Sequence, residues 1–549
     1  MSRKSLAIIV LIIMLIAAVQ LPLATAGSGS SDSIRDLVDQ DEITGYTDAI
    51  TSISDSHYAY RVAGSAGANE TASYIYSKFE DLGLDCRYQN YSFTNWDLYE
   101  RPSLVIDIDG NWSTATDQVE IGSFTCESYS YWSNQSDKIS GMVYLPLPAV
   151  DSMTEFMEMY HLPYMYWSSY NLTDRVVIVP KEVVYNNYIL QTLINKLRSE
   201  GPAAVVFSYY YSYFEDMPDM QQASAGGLPM SYYGDYLWES GLACGIVNYS
   251  DGRYLRSLID SGSPQADLNI NSTIYQGVQS NVIASIAGAK DPEKQLLITA
   301  HYDSVMCSGY IDNAAGIAAL LETARVMKAA YDGGTWSPEI SVVFVAFSGE
   351  ELGMVGSSYY VTATDLTDIV AVINLDCVGG LTMQCSHPGE GARIGVDELF
   401  KKVADEEDVP FEYIASVSSD QESFLVPGSA IQKVFGVWNV RFSLSQSISV
   451  ENSVCVSSAP LTMSEAKNGQ IGLIHTRFDT SDPDGFGYWN ADERLYEQTR
   501  VIVGVSVLLL NGEYQNDISD PTWQPYIFAV VIILAVVLVL YVFRSKVKN

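Results

Sequence analysis

The sequence predicts an α/β fold in which a mostly parallel central sheet is flanked by helices, interrupted by a β-rich insert and followed by a carboxyl-terminal transmembrane helix. Three observations lead to this. Across 278–511 short apolar runs alternate with helical patterns, the order that builds parallel strands covered on both faces. Across 97–274 the composition shifts toward Tyr and Trp with short β-like runs, which marks a separate module. Residues 526–543 are apolar and uncharged, and Arg544, Lys546 and Lys548 follow at once.

The elements are justified in chain order. Arg3 and Lys4 precede an apolar run, and Ala24-Thr25-Ala26 closes it, the order of a secretory signal over 1–26. The same run is nearly long enough to serve as an uncleaved anchor. Ala72, Ile75, Phe79 and Leu82 recur at helical spacing before Leu84-Asp85-Cys86-Arg87-Tyr88 turns to alternation, which predicts helix, turn and strand. The 97–274 module holds the run Arg175-Val176-Val177-Ile178-Val179 and one clear helix around 190–199. Strands are then expected at 296–299, 340–347 and 369–375, with helices at 313–330 and 354–360 between them. Segment 526–543 just spans a hydrocarbon core of roughly 30 Å at about 1.5 Å per residue. A buried core helix is the other reading of it. As a membrane span it leaves the basic tail 544–549 in the cytoplasm and, with a signal in front, the rest of the chain outside the cell membrane.

Composition narrows the function classes. The net charge of −36 is spread along the chain, which argues against nucleic acid as a partner and for a solvated acidic surface. Seven cysteines without a CxxC pair exclude a zinc ribbon and a dense disulfide framework, although one or two bridges would suit this compartment. Asn-x-Ser/Thr triplets at Asn69, Asn90, Asn111, Asn134, Asn171, Asn248 and Asn271 suggest an exposed, glycosylated first half.

Each predicted strand of the last segment ends in residues that bind metals. The first runs into His301-Tyr302-Asp303, the second into Ser348-Gly349-Glu350-Glu351, and the third into Asp376. Asp312 stands where a helix would begin, and His475 comes late in the chain. In parallel sheets such positions gather at the carboxyl ends of the strands. His and carboxylate oxygens together suit zinc, and a shared carboxylate would let two ions sit side by side. Consecutive Glu350 and Glu351 point in opposite directions in extended backbone, so one can ligate while the other moves protons. His57, His161 and His387 lack partner spacing and read as structural, and Cys307 and Cys377 read as packing residues.

These residues resemble the two-zinc aminopeptidases, family twenty-eight of the metallopeptidases, which includes glutamate carboxypeptidase-like enzymes. The matching stretches are Ala300-His301-Tyr302-Asp303-Ser304, Asp312-Asn313-Ala314-Ala315-Gly316, Gly349-Glu350-Glu351-Leu352-Gly353 with Gly356-Ser357, Asn374-Leu375-Asp376, and His475-Thr476 with Asp479. Arg61-Val62-Ala63-Gly64-Ser65 and Leu82-Gly83-Leu84 look like the family's amino-terminal segment, so 27–96 and 275–515 would together form the zinc-peptidase domain. The insert resembles a protease-associated domain through Leu172-Thr173-Asp174-Arg175, Gly201-Pro202-Ala203-Ala204 and Gly227-Leu228-Pro229-Met230. The resemblance implies that Asp312 bridges two zinc ions, that His301 and Asp376 complete one site and Glu351 and His475 the other, that Glu350 is the general base, and that Asp303 orients His301. It implies an aminopeptidase acting on peptide amino termini. A carboxypeptidase, an aminoacyl cyclase and a receptor that kept the fold without catalysis are the alternatives.

The chain departs from the family pattern at two places. Relatives carry Ser-Asp-His where this sequence has Ser419-Asp420-Gln421, and an oxyanion-stabilising tyrosine upstream of that motif or before the final histidine, where Ile474 stands. Tyr413 is the nearest candidate donor, with a core tyrosine as the other reading.

Overall fold

The computed structural model describes residues 31–112, 115–130, 139–147, 167–185, 187–211, 221, 223, 242–415, 418–425, 449–458, 474–480 and 491–512. The expected signal at 1–26 and membrane helix at 526–543 lie outside these residues, as does His161. Among the described residues no helix is long and apolar enough to cross a membrane.

Two capped helices follow a short one at Ser31–Arg35. In α1 (Gln40–Ser56) the Asp39 side chain accepts the Asp41 N–H, and Ile43, Tyr46 and Ile50 turn inward at helical spacing. In α2 (Ala66–Asp81) Ser65 accepts the Ala68 N–H, and Ala68, Ala72, Ile75 and Phe79 form the buried stripe. Strand β1 (Asp85–Leu98), at the edge of the main sheet, then carries the chain into the insert.

The insert carries its own eight-stranded sheet. Its elements are β2 (Ser103–Asp107), β3 (Gln118–Glu120), β4 (Thr125–Cys126), β5 (Ile139–Tyr144), β6 (Val176–Pro180), α3 (Asn187–Glu200), β7 (Ala204–Ser208), β8 (Ala243–Ile246), α4 (Tyr249–Ser261) and β9 (Gln265–Asn269). The order is β3-β2-β9-β5-β6-β7-β8-β4, with parallel pairing from β5 through β8. The single helix expected near 190–199 is therefore joined by α4, whose hydrogen-bonding cap is Asn248. That capping role buries Asn248, so this triplet is not the exposed acceptor the sequence suggested.

The main sheet comprises β1, β10 (Ser272–Ile286), β11 (Asp291–His301), β12 (Ile340–Phe347), β13 (Ile369–Leu375), β14 (Met383–Ser386), β15 (Phe411–Ile414) and β16 (Ser453–Ser457). The order is β1-β10-β12-β11-β13-β16-β14-β15. Four of its seven ladders are parallel and three antiparallel, so the sheet is mixed: β10 returns alongside β1 and β12, and β14 runs against β16. Strand β12 is buried at all eight positions, as expected for an apolar run covered on both faces. The helices covering the sheet include α5 (Gly316–Asp332), α6 (Val355–Ala363), α7 (Val396–Glu406) and α8 (Ala491–Leu510).

Helix α5 lies deepest, with Ile317 through Ala324 entirely inside the core. Its buried Glu322 is neutralised by Arg325 at 2.6 Å and accepts the Asp39 N–H at 2.7 Å, which ties α1 to α5. One apolar cluster continues from the insert sheet, through Phe124, Met142 and Ile178, to Val305, Met306, Leu352 and Val355 beside the ends of β11 and β12. All seven cysteines are free, so no disulfide of the expected kind forms.

Candidate metal centre

Register brings the site together. Strands β11, β12 and β13 are parallel and adjacent, with His301 opposite Phe347 and Thr299 opposite Asn374. The chain continues from β12 into Glu350 and Glu351 and from β13 into Asp376, all at one sheet edge. Asp312 arrives on the segment before α5, where it (φ −115°, ψ 84°) and Asn313 (φ −141°, ψ 44°) stand outside helical geometry. The Asn313 side chain clips this turn to the end of β13, donating to Leu375 O at 2.8 Å and accepting from Gly316 N at 3.0 Å.

Two donor sets share Asp312. Asp312 Oδ1 lies 3.1 Å from His301 Nε2, which lies 3.6 Å from Asp376 Oδ1. Asp312 Oδ2 lies 3.0 Å from His475 Nε2, which lies 3.1 Å from Glu351 Oε2. Within each set one ligand atom per residue falls within 4.8 Å of the others, as one cation would require. Fully buried His301 Nε2 and Glu351 Oε1 have no hydrogen-bond partner among the described residues. Such atoms are costly without a ligand, and the surplus of carboxylates calls for positive charge. The residues therefore fit one zinc-type cation per set, with Asp312 between the sets. No cysteine belongs to either set.

Electrostatics agree with this. Burial alone would lower the two histidines, but Asp303, Asp312 and Asp376 around His301, and Glu351 and Asp312 around His475, push both well above the usual range. Burial alone would raise Asp312, and the two imidazoles overturn it, holding the carboxyl well below its usual range. The carboxylates that favour positive charge on each imidazole would equally favour a cation bound beside it. Half-buried Glu350 is pushed well above the carboxylate range by burial, against the pull of His301 and with the help of Asp376, Glu351 and Asp420.

The Asp303 carboxylate, expected from the resemblance to orient His301, holds the neighbouring turn instead. It accepts N–H bonds from Gly349 at 2.8 Å, Glu350 at 3.2 Å and Glu351 at 3.3 Å, and so fixes the turn that carries both glutamates. His301 Nδ1 instead lies 3.2 Å from the Asp303 backbone carbonyl and 3.6 Å from its carboxylate, too far for a hydrogen bond to the latter.

Two residues of the stretches that carry the resemblance, to which the sequence assigned no role, act as positioning residues. Asp479 accepts N–H bonds from Ile311 at 2.7 Å and Asp312 at 3.2 Å, which sets the turn presenting Asp312. Fully buried Arg61 donates to Tyr302 O at 2.8 Å, Ser54 Oγ at 2.9 Å, Gly309 O at 2.6 Å and Ser308 O, and so organises the loop between His301 and Asp312. Gly309 has φ +60°, and a Cβ there would meet Arg61 Nη2 at 2.8 Å.

Tyr413 is not brought to this site. It is 42% exposed on β15 and stacks on His387 at 5.2 Å, which removes both the oxyanion and the core reading. Asp420 lies fully buried beyond the metal-binding residues, its carboxyl pushed up to about 7 by burial and neighbouring carboxylates. His57 pairs with Glu70 at 2.8 Å and His387 with Asp397 at 2.7 Å, away from the donor sets.

Residues 281–485 match the family model described as Peptidase family M28. The chain is similar to a "Glutamate carboxypeptidase 2 homolog" of Caenorhabditis briggsae, at 33% identity over 118 residues, 21% of this chain and 15% of that protein. It is also similar to a "probable leucine aminopeptidase 2" of Aspergillus oryzae, at 23% identity over 400 residues, 68% of this chain and 69% of that protein. The first curated relatives are thus matched over less than a fifth of their own length. Among solved structures, a zinc aminopeptidase from Bacillus subtilis shares the fold with a TM-score of 0.54 and 17% identity, covering 89% of this chain and 97% of that one.

Proposed function

We propose, from the match of residues 281–485 to the model of peptidase family M28, that this chain is a two-zinc exopeptidase that removes amino-terminal residues from peptides. The observation that carries the proposal is the pair of donor sets joined through the two oxygens of Asp312, with Glu350 beside them. His301 and Asp376 would hold one ion, Glu351 and His475 the other, and Asp312 both. Zinc ions bound there supply Lewis acidity, polarising the scissile carbonyl and making water more acidic. Glu350 takes the proton of the attacking water on its carboxylate and returns it to the leaving amine nitrogen. Asp303 holds the Glu350 and Glu351 amides, and the two glutamates stand in a turn after β12, not in the extended backbone the sequence suggested.

The setting is part of the same reading. The apolar segments 1–26 and 526–543 support a chain anchored in the cell membrane with the peptidase outside. The sheet spanning 103–269 would be a protease-associated domain, and the acidic surface suits no nucleic-acid partner.

The test is mass spectrometry of a free-amine peptide and its acetylated twin incubated with the zinc-loaded chain and with Glu350→Gln. Stepwise loss from the free peptide alone is the expected result. Loss from the carboxyl terminus, or pyroglutamyl formation, would replace the aminopeptidase by one of its relatives' reactions. Intact peptides throughout would leave the receptor reading standing.

A further inference from the structure

His475 is an unusual residue on which to hang a metal. Its φ is +63°, a region a non-glycine residue occupies at a cost of about 1 kcal/mol or more, so its backbone must be held from outside. One hold comes from the peptidase side, where Asp479, four residues on, grips the Asp312 turn. The other comes from the insert. The Ala223 N–H donates to the His475 carbonyl at 2.7 Å. Ala223 is 5% exposed and packs in the apolar cluster that also holds Val305, Met306 and Cys307, from the loop between His301 and Asp312, and Leu352, which follows Glu351. Gln221, two residues before it and 6% exposed, donates through Nε2 to Ser123 O at 2.6 Å and to Ile246 O at 3.0 Å, two backbone carbonyls at the β4–β8 end of the insert sheet.

The geometry points to Gln221 and Ala223 as positioning residues of the metal centre: the insert sheet, through Gln221, holds the Ala223 N–H against His475 and thereby fixes the histidine of the second donor set. The insert is then a structural part of one metal site and, among the described residues, makes no comparable bond to the other. His301 lies at the end of β11 and takes its place from the main sheet, so the two sites are supported by different modules. This inference rests on the two-zinc reading above.

The experiment is zinc binding by the full chain, by competition with a chromophoric chelator, for wild type, Ala223→Gly, Ala223→Pro and Gln221→Leu, each checked for folding by circular dichroism. Proline removes the N–H and glycine keeps it. The expected result is two tight sites in wild type and Ala223→Gly. Ala223→Pro and Gln221→Leu should keep one tight site and lose tenfold or more at the other, the usual effect of removing a group that orients a ligand. A folded Ala223→Pro with both wild-type affinities overturns the inference alone. If that variant does not fold, Gln221→Leu decides in the same way, one site weakened supporting the inference and both sites kept overturning it. Wild-type chain that binds no zinc overturns the peptidase reading itself.

Discussion

At the scale of single residues, Glu350 and Glu182 show how burial sets what a carboxyl can do. Glu350→Gln keeps size and hydrogen bonding but cannot take a proton, so kcat should fall by about 10²–10⁴-fold while zinc content, measured by atomic absorption, stays at the wild-type level. Glu182 lies deep in the insert, where Oε1 accepts the Tyr210 and Tyr211 amides and burial pushes the carboxyl up to about 7. The folded chain holds this proton more tightly than the unfolded chain. The contribution of Glu182 to stability is therefore full below about pH 4 and declines as pH rises to 7, by up to about 3 kcal/mol. Glu182→Gln should flatten that decline: thermal melts at pH 8 should show a higher Tm than wild type, and melts at pH 4 no difference.

At the scale of elements, the turn from Asp312 into α5 is the most closely packed part of the site. A Cβ on Gly316 would sit 2.2 Å from Asn313 Oδ1 and 2.7 Å from Leu375 O. Alanine gains up to about 1 kcal/mol in helix propensity, but the clash costs about 1–3 kcal/mol and breaks the Asn313 clip. Gly316→Ala should therefore lower both Tm and zinc affinity, the latter read by chelator competition. This element also shows what the sequence disclosed. The candidate donors stood out because His301 ends the apolar run of β11, and Glu351 and Asp376 follow the apolar runs of β12 and β13. Asp479, Arg61 and Ala223 were not legible as supports, because each acts through backbone groups of residues remote in sequence. Tyr413 misled because nearness in sequence to Ser419 says nothing about position on an edge strand, and Asn248 because a glycosylation triplet and a helix cap can be the same residue.

At the scale of the whole molecule, the two sheets share one apolar cluster, so the insert and the peptidase part should not behave as independent bodies. The β1–β10 ladder gives this a kinetic side. Leu98 pairs with Ser272, and pairing continues to Asp85 with Ser285, so the last ladder of the peptidase sheet closes a loop of about 170 residues. Closing that length as flexible chain costs about 4.5 kcal/mol of entropy, against about 1.5 for a handful of residues. A folded insert presents Leu98 and Ser272 side by side and removes most of the difference. The insert then acts as an internal template that must be finished before the edge of the main sheet can zip. Leu193→Ala, a core truncation in α3 remote from the metal site, should slow the recovery of zinc binding after dilution from denaturant, although it touches no part of the peptidase.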